Sequence, residues 1–178
     1  MNIVIRHAQP EDDAAIGELL VSAFVTGYAK KMPHVVVTDE RKRELRAVAE
    51  KRAVAIVLVA ELQGPAGPIG ADAARAIVGT VALWPAGAPG NEAWLAGACD
   101  LRHLATDPSF HGRGLSRLLL DAVEEIAREQ LGAKVICLHV RRGNEGVTRL
   151  YEKRGYVRDV SGDLEYPTVS LMAFAKRF

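Results

Sequence analysis

The chain has 178 residues, 25% of them charged and 49% hydrophobic, with a formal net charge of +1. That length suits one domain with a sizeable core, expected to run over residues 1–178, and near-neutrality excludes a broad field for nucleic acid or an anionic membrane. The longest apolar run, "AVAIVLVA" (53–60), falls far short of the roughly 20 residues a membrane span needs, and the opening "MNIVIRHAQPEDD" has no signal-peptide core or cleavage site, so a cytoplasmic protein is expected.

In chain order, "NIVIRHA" (2–8) predicts a short strand. "PEDDAAIGELLVSAF" (10–24) predicts a helix with Ile16, Leu19, Leu20, Ala23 and Phe24 on one face. Pro10 stands near its start, and Glu11, Asp12 and Asp13 put negative charge where the helix dipole favours it. Residues 25–37 read as irregular, and 38–52 as a second helix with Thr38 a candidate cap. Within it, "ERKRELR" (40–46) alternates acids and bases as a solvated face does. β-branched runs at 52–62 and 74–84 predict strands, joined by the Gly/Pro-rich "QGPAGPIGAD".

A second Gly/Pro patch (85–94) leads into a strand over 98–108 that Pro108 ends. A helix on "LSRLLLDAVEEIA", a strand at 134–140, a helix at 144–155 and closing strands at 156–160 and 168–175 follow. Consecutive strands first, then helical crossovers, predict an α/β (α+β) fold: one mixed sheet of about seven strands with helices on both faces.

Cys99 and Cys137 lie far apart without CxxC spacing. Strand alternation gives Cys99 a face with His103 and Cys137 a face with His139, the ligand types of a zinc site. Small cysteines on apolar strands belong to cores, so no metal is expected, and Cys137 reads as core rather than as an acyl carrier.

The chemistry concentrates in "DPSFHGRGLSRLLLDAV" (107–123). A glycine-rich turn feeding a helix grips phosphate, because free backbone N–H groups meet the positive end of the helix dipole. It is not a Walker loop, which needs a lysine and a hydroxyl after its last glycine. Nor is it a dinucleotide fingerprint, since Arg117 stands where GxGxxG needs its third glycine. Gly112 and Gly114 let backbone approach a diphosphate without a Cβ between. Arg113 either adds charge or simply faces solvent. Leu104 and Thr106 lie two apart on their strand, so their backbone groups face one edge. The apolar pattern shifts from odd (Leu101) to even (Leu104), which predicts a bulge and a freed N–H. Asn144 is an N-cap candidate, and Tyr151 shares its helix face with Asn144 and Val147.

His111-Gly112-Arg113-Gly114-Leu115-Ser116 resembles the Q/R-x-x-G-x-G/A pyrophosphate loop of the GNAT N-acetyltransferases, with His111 in place of the first residue and Ser116 in place of the last. "LRHLATDP" resembles that family's cofactor-side strand, and "NEGVTRLYEKRGY" its second signature, with the element order similar from about residue 3 to 175. The resemblance implies acetyl-CoA as co-substrate and an amine acceptor, attacked directly in a ternary complex. It implies pyrophosphate contacts from His111 to Ser116, pantetheine pairing along Leu104, Ala105 and Thr106, a cofactor contact from Asn144, and Tyr151 protonating the departing thiolate.

A lysine-like amine (pKa ~10.4) is neutral about 0.04% of the time at pH 7, a handicap of roughly 4.6 kcal/mol against about 1 kcal/mol for an α-amine. A base therefore matters most for the former. Asp100 is the first candidate, with His103 and Glu92 next. Residues 25–37 and the 63–74 and 85–97 loops are expected to frame the acceptor, with Tyr28, His34 and Trp84 as contacts and Trp94 beside them. The closing "SGDLEYPTVSLMAF" is a candidate for pairing in a homodimer. A non-catalytic acyl-CoA-binding module and a transferase for longer acyl groups are the alternatives.

Overall fold

The computed structural model describes residues 2–64 and 75–178. Strand β1 (Asn2–His7) leads through a short 3-10 turn into helix α1 (Asp13–Lys31). Helices α2 (Asp39–Arg46) and α3 (Val48–Val54) follow, then the antiparallel strands β2 (Ile56–Gln63), β3 (Arg75–Trp84) and β4 (Cys99–Thr106). Helix α4 (Leu115–Glu125) continues as a π-helical turn to Gln130 and crosses to β5 (Val135–Arg141). Helix α5 (Glu145–Glu152), the two-residue β6 (Val157–Arg158), β7 (Leu164–Tyr166) and β8 (Val169–Arg177) complete the chain.

The eight strands form one sheet in the order β1-β2-β3-β4-β5-β8-β6, with β7 on β8. Only the β4–β5 pair is parallel. One face packs α4 and α5 over Leu58, Val81, Leu101 and Leu138, and the other packs α1 to α3 over Val57, Val59, Ala82 and Trp84. Helices thus cover both faces, as the pattern predicted.

Several boundaries differ from expectation. Residues 25–31 are helical, not irregular, because Tyr28 docks edge-on against Phe24 at 5.7 Å and under Arg141, contacts that outweigh the weak propensity of Val25, Thr26 and Gly27. Thr38 does cap α2, accepting from the Arg41 N–H at 3.1 Å. The expected single helix over 38–52 breaks at Ala47 (φ −74, ψ 58). Buried Lys51 reaches back to donate to the carbonyls of Glu44, Leu45 (3.3 Å) and Ala47 (3.2 Å), sealing the break. Eight strands stand where about seven were expected, since "DLEYPTVS" makes a β7–β8 hairpin within the chain. Of the connection between β2 and β3, residues 65–74 lie outside the described residues, and with them most of one loop expected to frame the acceptor.

Candidate functional site

Strands β4 and β5 pair only where Cys99, Asp100 and Leu101 face Ile136, Cys137 and Leu138. Beyond that, β4 runs on to Thr106 paired with β3 alone and β5 to Arg141 paired with β8 alone, no longer with each other. A fork opens at the carboxyl ends of two parallel strands, the place where open sheets bind ligands. Leu104, Ala105 and Thr106 lie along its β4 edge, so the edge expected to hold an amide-rich arm is the one left without a strand partner.

The bulge predicted between Leu101 and Leu104 lies beside the opening. Thr80 pairs with Ala105 and Ala82 with Arg102, so one extra residue of β4 faces Val81. His103 takes a left-handed conformation (φ 58), the sole non-glycine residue to do so among those described. A bulge bends and twists its strand. It also returns Leu104 to the α4 face, beside Leu101 and Cys99. His103 therefore leaves the face of Cys99 and lines a small cavity against Lys51, Thr80 and Ala82. The Cys99/His103 pairing expected from simple alternation fails for that reason.

Past β4, the Asp107 carboxylate accepts from the Ser109 N–H (2.8 Å) and hydroxyl (2.6 Å), holding a 3-10 turn over Pro108–Phe110. Gly112 (φ 77) and Gly114 (φ 78) then redirect the chain into α4. The N–H groups of His111 and Arg113 are used inside the turn, by Pro108 and Phe110. Leu118 donates to the carbonyl of Gly114 at 3.1 Å, so the N–H groups of Gly112, Gly114, Leu115, Ser116 and Arg117 find no backbone acceptor among the described residues. Set on a helix N-terminus whose leading glycines are exposed, they form an anion cradle. The Arg113 guanidinium lies 5.5 Å from the centre of the Phe110 ring.

On the β5 side, Asn144 occupies the N-cap of α5, yet its side chain makes no capping bond. Its Oδ1 and the Thr148 Oγ1, one turn on, are buried without a hydrogen-bond partner among the described residues. Such atoms call for a polar ligand or water. Tyr151 packs into the α4-side core, edge-on to Tyr156 at 5.3 Å. Burial, then the charge of Glu124, pushes its phenol well above the usual value, so it stays protonated.

Asp100 is fully buried. Its Oδ2 accepts from Arg102 and from the Glu92 N–H (2.9 Å), while Oδ1 has no partner among the described residues. Arg102 also donates to the Gly90 carbonyl (2.6 Å) and stands 3.4 Å from the Glu92 carboxylate. Asp100 thereby pins the 85–97 loop to β4. Burial, with the charges of Lys51, Arg41 and Arg102, holds the His103 imidazole well below its ordinary pKa, and its buried Nδ1 has no partner among the described residues. Burial pushes the Cys137 thiol up to about 11, which keeps it a thiol.

Of the expected acceptor contacts, Tyr28 is half-buried beneath Arg141, and His34 is exposed between α1 and α2. Trp84 is buried, with Arg102 4.6 Å over its ring and His103 edge-on at 5.8 Å. Trp94 donates to Asp159 (2.9 Å) and leans on His139, 5.3 Å between centroids. Sequence reasoning missed Thr148 and Arg102 as members of this site. Their signals were the i, i+4 spacing from Asn144 and the i, i+2 step from Asp100 along β4.

The molecule thus has a fork of parallel strands, a bulge on one prong and an anion cradle beyond it, and residues 34–156 match the acetyltransferase (GNAT) family. The chain belongs to that family. GNAT proteins also supply its relatives in fold. The PaiA N-acetyltransferase of Thermoplasma acidophilum, solved with coenzyme A, superposes with a TM-score of 0.69 over 100% of both chains at 19% identity. Mycothiol acetyltransferase of Propionibacterium freudenreichii is 44% identical over 63 residues, 35% of this chain and 20% of that protein. The uncharacterized N-acetyltransferase YdgE of Bacillus subtilis is 48% identical over 48 residues, 27% of this chain and 30% of that protein. The matches thus span less than a third of either curated relative.

Proposed function

We propose that residues 1–178 form one GNAT domain that transfers an acetyl group from acetyl-CoA to a primary amine, both bound together. The observation that carries this is the cradle of free N–H groups at the mouth of the β4–β5 fork. Coenzyme A in the Thermoplasma neighbour supports it, as do the orphaned Asn144 Oδ1 and Thr148 Oγ1, which suit the amides and hydroxyls of a pantetheine arm.

Bound acetyl-CoA supplies a thioester. The N–H groups of Gly112, Gly114, Leu115 and Ser116, with His111 and Arg113 beside them, hold its pyrophosphate. The free edge of Leu104, Ala105 and Thr106 takes the amide arm as a sheet edge takes an added strand. An N–H freed at the bulge steadies the thioester oxygen as charge develops there. The amine nitrogen bonds to the acetyl carbon and the carbon–sulfur bond breaks. The amine's proton leaves to Asp100, whose Oδ1 has no partner among the described residues, directly or through water, with His103 and Glu92 next in line. Tyr151 gives its proton to the thiolate. Among the described residues no metal-ligand group of three is found, and no step above needs one. No helix among the described residues is long and apolar enough to cross a membrane, and two free, buried cysteines suit a reducing cytoplasm.

Thiol release from acetyl-CoA over a panel of amines tests this, in wild type and Tyr151→Phe. Release that depends on the amine, and a kcat about 10²-fold or more lower in Tyr151→Phe with acetyl-CoA binding retained, is expected. Binding without release for any amine favours the non-catalytic module.

A further inference from the structure

On the acceptor side of the fork, one guanidinium lacks a carboxylate. Arg141 ends β5 three residues beyond Leu138, where pairing with β4 stops, so its Cα stands roughly 10 Å past that point. Alternation puts it on the strand face of His139. Its guanidinium lies 5.4 Å from the centre of the Tyr28 ring and donates one N–H to the Thr168 carbonyl at 3.3 Å. It is half-buried, and no carboxylate among the described residues pairs with it.

Its neighbours differ. Arg142 pairs with Glu165 at 2.8 Å, Arg158 with Asp163 at 2.5 Å, and Arg102 with Asp100 and Glu92. The carboxylates of Glu165, Asp163, Asp100 and Glu92 are thus held by other arginines, and those of Asp107 and Asp159 by Ser109 and by Trp94 and Ser161. Lys31, at the end of α1, brings further positive charge close to the start of α5, its Nζ 3.4 Å from the position of a Cβ on Gly146. A guanidinium has five N–H donors set for bidentate binding of a carboxylate, and its contacts with the Thr168 carbonyl and the Tyr28 phenol leave donors over.

We propose that the acceptor is an amino acid or similar small molecule bearing a carboxylate as well as its amine, and that Arg141, stacked on Tyr28, binds that carboxylate. The proposal rests on the transferase reading above. A polyamine brings more positive charge to a positive rim, and an unsubstituted amine leaves the guanidinium unmatched. Nearby positive charge also disfavours the ammonium form of the bound amine, which lightens the work of the base.

The test measures kcat/KM at saturating acetyl-CoA for matched pairs: phenylalanine against phenethylamine, methionine against 3-(methylthio)propylamine, lysine against cadaverine. Wild type is expected to favour the carboxylate member of at least one pair about tenfold or more. Arg141→Gln erases that preference through KM, and Arg141→Lys restores part of it, as a charge-assisted contact requires. A wild-type melting temperature unmoved by acetyl-CoA overturns the transferase reading and this inference with it. With that shift present, equal kcat/KM within every pair, no acetylation of any carboxylate member, or an Arg141→Gln that slows both members alike overturns this inference alone.

Discussion

Gly162→Ala drives a methyl group into the indole of Trp94. A Cβ at Gly162 would stand 2.1 Å from Cδ2, 2.4 Å from Cε2 and 2.6 Å from Cε3 of that ring, where carbon atoms prefer roughly 3.5–4.0 Å. The contact is with the face of a fused ring rather than a flexible side-chain tip, so the indole must retreat by more than about 1 Å. Retreat breaks its hydrogen bond to Asp159 and its contact with His139. It also disturbs the His139 Nε2 contact with the Gly162 carbonyl at 2.9 Å. Overpacking of this kind costs about 1–3 kcal/mol. For a chain of this size that lowers Tm by roughly 2–12 °C. Thermal melts followed by circular dichroism give the shift. Tryptophan emission gives the cause, because the chain has two tryptophans and Trp84 is buried away from this contact. A variant melting within about 1 °C of wild type, with unaltered emission, refutes the packing of Trp94 on Gly162.

Two further predictions concern titration and buried charge. The depressed pKa of His103 means that the unfolded chain binds its proton more readily. The corresponding stability is therefore complete above about pH 6.5 and is lost as pH falls below it. His103→Asn, which tolerates the left-handed backbone, flattens urea-unfolding stability between about pH 7.5 and 5.5; an identical slope in both proteins contradicts the assignment. Glu124 accepts from Arg154 at 2.9 and 3.1 Å and from Lys176 at 2.7 Å, all three side chains at most 21% exposed. Glu124→Gln is expected to cost about 1.5–3 kcal/mol and to lower the raised phenol pKa values of Tyr151 and Tyr156, measured by ultraviolet titration; an unchanged Tm contradicts it.

The anion cradle was legible because it is local: two glycines, a turn and a helix start lie within ten residues. The bulge was legible too, since Leu101 and Leu104 break the two-residue alternation of β4. The fork was not. Where β4 and β5 stop pairing depends on the bulge and on how far each strand is carried by its other neighbour, β3 or β8, and no periodicity records that. Asn144 shows the limit of a local rule. It occupies the N-cap that its residue type predicts, yet its Oδ1 finds no partner among the described residues. The C-terminal part of α1 was missed because Val25, Thr26 and Gly27 carry weak helix propensity, while the contacts that hold Tyr28 come partly from Arg141, over a hundred residues away. Asp100 reads in sequence as a free carboxylate; its tie to Arg102 and the Glu92 N–H appears only when the 85–97 loop folds over β4.

The claim that matters most is that acetyl-CoA binds at the Gly112–Ser116 cradle. A melt with and without acetyl-CoA, repeated on Gly114→Val, tests it most directly. Filling the site to about a hundred times Kd adds roughly 2.7 kcal/mol, or about 5–11 °C here. Nothing lies within 4 Å of a Cβ at Gly114, so valine acts through the backbone, which it resists holding at φ 78. The predicted result is a shift of that size in wild type and none in a folded Gly114→Val. No shift in wild type, or an equal shift in both, contradicts the account.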